Sequence, residues 1–204
     1  MPVFRHVNRS MTAVAVLAIA AGTAHAGQSV QKLLERGALE EAVQRAEQER
    51  DNVESTYLAA QAFAKMSDNG RASEQYARLQ QAGDESWKAI GESGARLLQG
   101  DVDGAMEAAN RAVAASGDNP YAHYQVGLVA NRRSQFDRAL AAFTRAVELK
   151  PDLAYAHYYA GTASQRLKEM ARMSEHFELF LKLAPDAPER TAVAALLRTF
   201  RPWR

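Results

Sequence analysis

The tetrapeptide Tyr121-Ala122-His123-Tyr124 returns as Tyr155-Ala156-His157-Tyr158, 34 residues later, and this spacing constrains the fold more than any other feature of the chain. Gly127 and Gly161, Arg132 and Arg166, Phe143 and Phe177, Leu149 and Leu183, and Pro151 and Pro185 keep the same offset. A period of this length belongs to stacked helical hairpins, each too small to bury its apolar face alone, so that neighbours must cover one another. The chain reads as a row of similar units.

The clearest unit covers residues 120–153. Asp118 and Asn119 are capping candidates ahead of Pro120, whose missing N–H costs nothing in a first helical turn. A second helix over 135–149 places Phe136, Ala139, Leu140, Phe143, Ala146 and Val147 at three- and four-residue steps, a stripe that requires burial. Ser134 marks the turn between the helices, and Lys150-Pro151 ends the second. The unit 154–187 repeats the pattern with Ala160, Gly161 and Ser164 inward on its first helix and Met170, Met173, Phe177 and Phe180 on its second.

Upstream, 86–119 keeps the register because Arg111-Ala112-Val113 matches Arg145-Ala146-Val147, and Gly100-Asp101 provides its turn. The unit 53–85 fits through Phe63, Ala72 and Tyr76 but is one residue shorter. Gly37-Ala38-Leu39-Glu40-Glu41-Ala42 echoes Gly100-Asp101-Val102-Asp103-Gly104-Ala105, which predicts a short first unit over 28–51. Residues 188–204 are expected to close the stack as a capping helix, with Ala192, Val193, Leu196, Leu197 and Phe200 on one face, followed by the tail Arg201-Pro202-Trp203-Arg204. No segment alternates apolar and polar residues long enough for a strand, so the predicted class is all-α.

The first 26 residues follow the layout of a secretory signal. Arg5, His6 and Arg9 precede an apolar run from Met11 to Ala21, and Ala24-His25-Ala26 offers small residues for cleavage. The run falls well short of the roughly 20 residues needed to span a bilayer as a helix, so an exported, periplasmic or secreted chain without a retained membrane anchor is expected. The sequence holds no cysteine, which excludes disulfides, thiol lipidation and thiolate chemistry. Its 25 Lys and Arg residues, less Arg5 and Arg9, stand against 24 Asp and Glu. Such a balance argues against nucleic acid or an anionic membrane surface as the main partner.

These units resemble the tetratricopeptide repeat, whose pattern asks for a Leu-Gly pair on the first helix, then Ala, an aromatic and a closing Pro on the second. The matches are Val126-Gly127, Ala139, Phe143, Ala146 and Pro151 in one unit and Ala160-Gly161, Phe177 and Pro185 in the next. The resemblance covers roughly residues 28–187, and with the leader it describes an exported bacterial type of such a protein. It implies a right-handed superhelix whose first helices line a concave groove that binds a peptide or a partner protein. Carried over place by place, the groove residues are Trp87, Tyr121 and Tyr155, then Tyr57, Ile90, Tyr124 and Tyr158, then Lys65, Asn131, Arg132, Gln165 and Arg166. The aromatics would bury large area at small entropic cost while keeping a polar tip free, and Arg132 and Arg166 would offer charged forks to carboxylates or carbonyls. The Lys and Asn of the family's carboxylate clamp have no counterparts: Tyr124, Leu128, Tyr158 and Thr162 stand at comparable places.

Little points to catalysis. Outside the leader only His123, His157 and His176 remain, and His123 and His157, on successive parallel helices, are placed too far apart to share a zinc ion. Gly91-Glu92-Ser93-Gly94 lies within a helix and follows no strand, so it is no phosphate loop and instead allows close helix approach. The expectation is a non-catalytic adaptor or scaffold of the cell envelope with no cofactor and no metal, taking a protein or peptide in its groove. The alternatives are a structural or self-associating subunit of an envelope complex and, ranked last, a glycan-binding protein or hydrolase.

Overall fold

The structure, a computed structural model, describes residues 28–81 and 84–200; the leader and the last four residues lie outside them. Among the described residues there are eleven helices and no strand. They pair as α1 (Val30–Glu35) with α2 (Leu39–Gln48), α3 (Val53–Lys65) with α4 (Asn69–Gln80), α5 (Glu85–Leu98) with α6 (Val102–Ala115), α7 (Pro120–Arg132) with α8 (Phe136–Leu149), and α9 (Ala154–Arg166) with α10 (Met170–Leu183). A last helix, α11 (Arg190–Phe200), packs on α10 and buries Val193 and Leu197. None of these helices is long and apolar enough to cross a membrane.

Local chemistry sets the boundaries. Asn52, Asp84 and Asn119 each accept a hydrogen bond from a backbone N–H one turn into α3, α5 and α7, and Pro120 opens α7. Every first helix ends in one left-handed residue: Gly37, Ser67, Gly100, Ser134 and Lys168. At each, the following N–H returns to a carbonyl five residues back, as Gln135 does to Ala130 and Glu169 to Ser164. This C-terminal motif turns the chain sharply enough for an antiparallel partner. Its recurrence marks all five hairpins.

The offset pairs of glycine and phenylalanine are the seam of each hairpin. A Cβ at Gly127 would lie 2.6 Å from the Phe143 ring, and one at Gly161 would lie 2.7 Å from Phe177. Alanines 105, 109, 112, 139 and 146 are fully buried on the second helices, where their small size lets neighbouring units approach. Met173, Phe177 and Phe180 are buried as expected of them, whereas Met170, Phe136 and Val147 are only half-buried at the edge of the stripe.

The coil closes further than an open wall would. Gln31 Nε2 on α1 donates to the Asp152 carbonyl at 2.8 Å, Lys32 Nζ donates to the Leu183 carbonyl at 3.3 Å, and Tyr57 on α3 reaches Gln125 on α7. The first unit therefore meets the last across the inside of the superhelix, and the concave side is covered by the chain's own first helix. The physical cause is long-range in sequence: long polar side chains on the first helices find partners across the coil, and every partner found in this way narrows the groove.

Candidate partner-binding wall

The inner wall is built from two aromatic clusters. In the first, Trp87 lies 6.0 Å from Tyr57 and 5.5 Å from Tyr121, and Tyr57 meets Tyr121 at 5.3 Å, edge to face. In the second, Tyr124 packs against Phe143 at 5.6 Å and Tyr159 at 6.1 Å, and Tyr159 leads on to Tyr155 and Tyr158. Three first helices are tied together behind the first cluster by a buried polar chain. The Tyr57 hydroxyl donates to Gln125 Oε1 at 3.0 Å, Gln125 Nε2 donates to Ser93 Oγ at 3.2 Å, and Ser93 Oγ donates to the Ala105 carbonyl at 2.8 Å.

The repeated tetrapeptide makes the same contacts twice. Tyr121 donates to Glu54 at 2.6 Å and Tyr155 donates to Glu189 at 2.9 Å, so each hydroxyl lands on a carboxylate from a distant segment. His123 Nε2 meets the Gly117 carbonyl and His157 Nε2 meets the Pro151 carbonyl, each six residues upstream. The second tyrosine of each copy packs on the seam phenylalanine of its own hairpin. Burial raises the phenols of Tyr57, Tyr121, Tyr124 and Tyr155 above their ordinary value and pushes Tyr159 up to about 12. They are hydrogen-bond donors at physiological pH and do not act as bases.

Between α1, α3, α7 and α9 the wall keeps a cavity of about 250 Å³, bounded by Leu34, Tyr57, Tyr121, Tyr124, Tyr155 and Tyr159 among others. This is below the roughly 300–1,000 Å³ of a small-molecule site and suits one or two anchoring side chains. At its rim Lys65 Nζ sits 4.0 Å over the Tyr155 ring and 3.2 Å from Glu189.

The structure brings together Tyr57, Trp87 and Tyr121, and separately Tyr124, Tyr155 and Tyr158. Of these, Tyr57, Tyr121, Tyr124 and Tyr155 are buried, while Trp87 and Tyr158 are half-buried. Asn131 and Gln165 are half-buried and Arg132 and Arg166 exposed at the far ends of α7 and α9, away from the tyrosine clusters. Arg166 stacks on Phe136 at 4.8 Å. Lys65, Arg132 and Arg166 each close a first helix, where the helix C-terminus favours positive charge. Sequence reasoning did not find Glu35, Glu54, Gln125, Tyr159 or Glu189 as wall residues. No local signal marks the acids, whose partners lie 67 or 119 positions away in the case of Glu54 and Glu35.

His157 and His176 meet through their Nδ1 atoms at 3.2 Å in the seam of the last hairpin, both buried. The contacts assign the tautomers: His157 gives its Nε2 proton to Pro151, so its bare Nδ1 accepts from His176. Burial holds both pKa values below the usual histidine range; for His157 the neighbouring imidazole adds to this, and for His176 Arg172 does, against an opposing pull from Glu175. A histidine depressed in the folded state binds fewer protons there than when unfolded. Its stabilising effect is complete above the unfolded pKa and is lost as pH falls from that value toward the folded one. Stability is therefore expected to decline below about pH 6.5 with a slope of at most about 1.4 kcal/mol per pH unit for each ring. Urea unfolding at stepped pH measures it, and a profile that His157→Gln with His176→Gln leaves unchanged would refute the assignment.

Among the described residues no three His, Asp or Glu side chains converge as a metal site. The antiparallel hairpins, their glycine–aromatic seams and the inward tyrosines define a tetratricopeptide-like α-solenoid. Solved structures of that class share its fold: the Arabidopsis OM64 TPR domain (TM-score 0.55, 18% identity, 58% of this chain and 99% of that one), the first TPR domain of Spaghetti (RPAP3) bound to an HSP90 peptide (0.53, 20%, 58% and 91%), and YrrB, a TPR protein with an unusual peptide-binding site (0.50, 18%, 83% and 88%). Compared with protein families and with curated proteins, the sequence matches none.

Proposed function

We propose that this protein is an exported, non-catalytic adaptor of the cell envelope that holds a segment of a partner protein against its inner wall. The observation that carries the reading is the tyrosine-lined cavity with Lys65 at its rim, which has room for one or two anchoring side chains, together with the exposed charges of Arg132 and Arg166 at the far ends of α7 and α9. Buried aromatic anchors surrounded by charged groups are the usual anatomy of a protein-binding patch. Solved neighbours of the same fold include one with an HSP90 peptide bound, which supports a peptide as the class of guest. Export rests on the leader pattern of residues 1–26.

The test is a crosslinked pull-down of the mature chain from its own envelope fraction, repeated with Arg132→Glu and Arg166→Glu. Both arginines are exposed, so the exchanges should leave helicity intact while reducing capture at least about tenfold if the partner extends from the cavity to the ends of α7 and α9. Undiminished capture by the double variant would remove Arg132 and Arg166 from the site.

A further inference from the structure

We infer that α1 is an internal ligand of the inner wall, and that the partner segment is a short helix carrying the pattern of Val30, Leu33, Leu34 and Glu35, which binds by displacing α1. This rests on the adaptor reading and specifies its guest.

Helix α1 has six residues, far fewer than the roughly 12–15 at which isolated helices become even marginal in water, so its order comes from docking. Val30, Leu33 and Leu34 are buried, and so are the polar Gln31 and Glu35. Its long-range polar contacts go to backbone. Gln31 donates to the Asp152 carbonyl, Lys32 donates to the Leu183 carbonyl, and Glu35 Oε1 accepts from the Ala154 N–H at 3.3 Å. Contacts of this kind depend on where a helix lies and on the carboxylate it presents, so a foreign helix of like pattern can make them.

The wall is prepared for that carboxylate. Helices α3, α5 and α7 carry their own capping side chains in Asn52, Asp84 and Asn119, but α9 begins after Leu153, which has none. Glu35, 119 positions away from Ala154, supplies the missing acceptor at the positive end of α9. Its second oxygen holds Lys32 at 2.7 Å, and Gln31 reaches its first at 2.8 Å. The wall's end is completed only by an acid that the repeat itself does not encode.

Two features make the occupant exchangeable. The cavity of about 250 Å³ lies directly beneath Gln31, Leu34 and Glu35, so α1 does not fill its seat. The link to α2 is only three residues, 36–38, and its middle residue is Gly37 in the left-handed region at φ 79°, a conformation that glycine enters and leaves at small cost. A tethered helix competes at an effective concentration in the millimolar range, and the apparent affinity for a guest falls with the fraction of molecules whose wall is free.

A fluorescent peptide of residues 28–36 titrated into the full chain reads this directly. Glu35→Ala in the protein should tighten peptide binding about tenfold or more over wild type, because the tethered competitor is weakened. The same peptide carrying Glu35→Ala should lose that gain. Equal affinity for both proteins, or binding that survives loss of the peptide's acid, overturns the inference, as does a dimer that exchanges α1 between copies. If Glu35→Ala lowers helicity, the wild type carries the test: hydrogen exchange at residues 30–35 should accelerate on saturation with peptide, and unchanged exchange overturns it. Partner capture that is lost with Arg132→Glu and Arg166→Glu would leave the adaptor reading standing even where the peptide fails.

Discussion

Alanine at Gly91 is expected to destabilise the protein by about 3 kcal/mol or more, the upper range for forcing a methyl group into a packed interior. The Cβ would lie 2.6 Å from the carbonyl oxygen of Tyr76, 2.7 Å from Leu79 Cβ and 3.1 Å from the Gln80 amide nitrogen. Two of these three atoms are helix backbone, so relief requires α4 and α5 to move apart as rigid bodies, and the core formed by Tyr76, Leu79 and Ile90 opens with them. At Gly127 and Gly161 the obstacle is a phenylalanine ring, which can tilt, and the cost there should be smaller. Gly70→Ala is the control: its new methyl would meet only an Asp68 oxygen at 3.7 Å, and in the first turn of α4 it should stabilise by roughly 0.5–1 kcal/mol. Urea unfolding followed by helicity separates the cases. A midpoint for Gly91→Ala within error of wild type would mean that α4 and α5 do not approach each other this closely.

Gly91 also shows what the sequence could and could not say. Glycine within an apolar helical stretch, with no strand before it, implied close helix approach, and the structure names the helix it approaches. The hairpins were equally legible, because a 34-residue period, a turn at Ser134 and a phenylalanine 16 positions after its glycine are all local or nearly local signals. The bend of the stack was not. It is set by contacts such as Tyr57 to Gln125, two periods apart, and Glu35 to Ala154, 119 positions apart and off the period, and no local signal announces either pairing. The groove residues carried over from a resemblance could be placed on the right helices, yet their exposure depends on that bend, and so Tyr121 and Tyr155 came to lie against Glu54 and Glu189. The histidine of the tetrapeptide carried a period but no role until its ring was seen to meet the carbonyl six positions before it. His176 had no periodic counterpart to draw attention to it.

Leucine in place of Gln125 should cost about 3 kcal/mol, since one exchange leaves a buried hydroxyl without its acceptor and takes a donor from a second one. Gln125 is fully buried, as are Tyr57 and Ser93, and no solvent can replace what the amide provides. Tyr57 would keep its ring contacts with Trp87 and Tyr121 but would hold a proton with nowhere to donate it. Ser93 would retain its bond to the Ala105 carbonyl, so the larger share of the loss falls on Tyr57. Removing the hydroxyl as well, with Tyr57→Phe in the same chain, should recover part of the stability, because two apolar neighbours cost less than one stranded polar group. A double-mutant cycle is therefore expected to show coupling of about 1–2 kcal/mol between positions 57 and 125. Strict additivity of the two exchanges would show that the bond spanning α3 and α7 does not hold the coil closed. The inner wall would then owe its shape to ring packing alone.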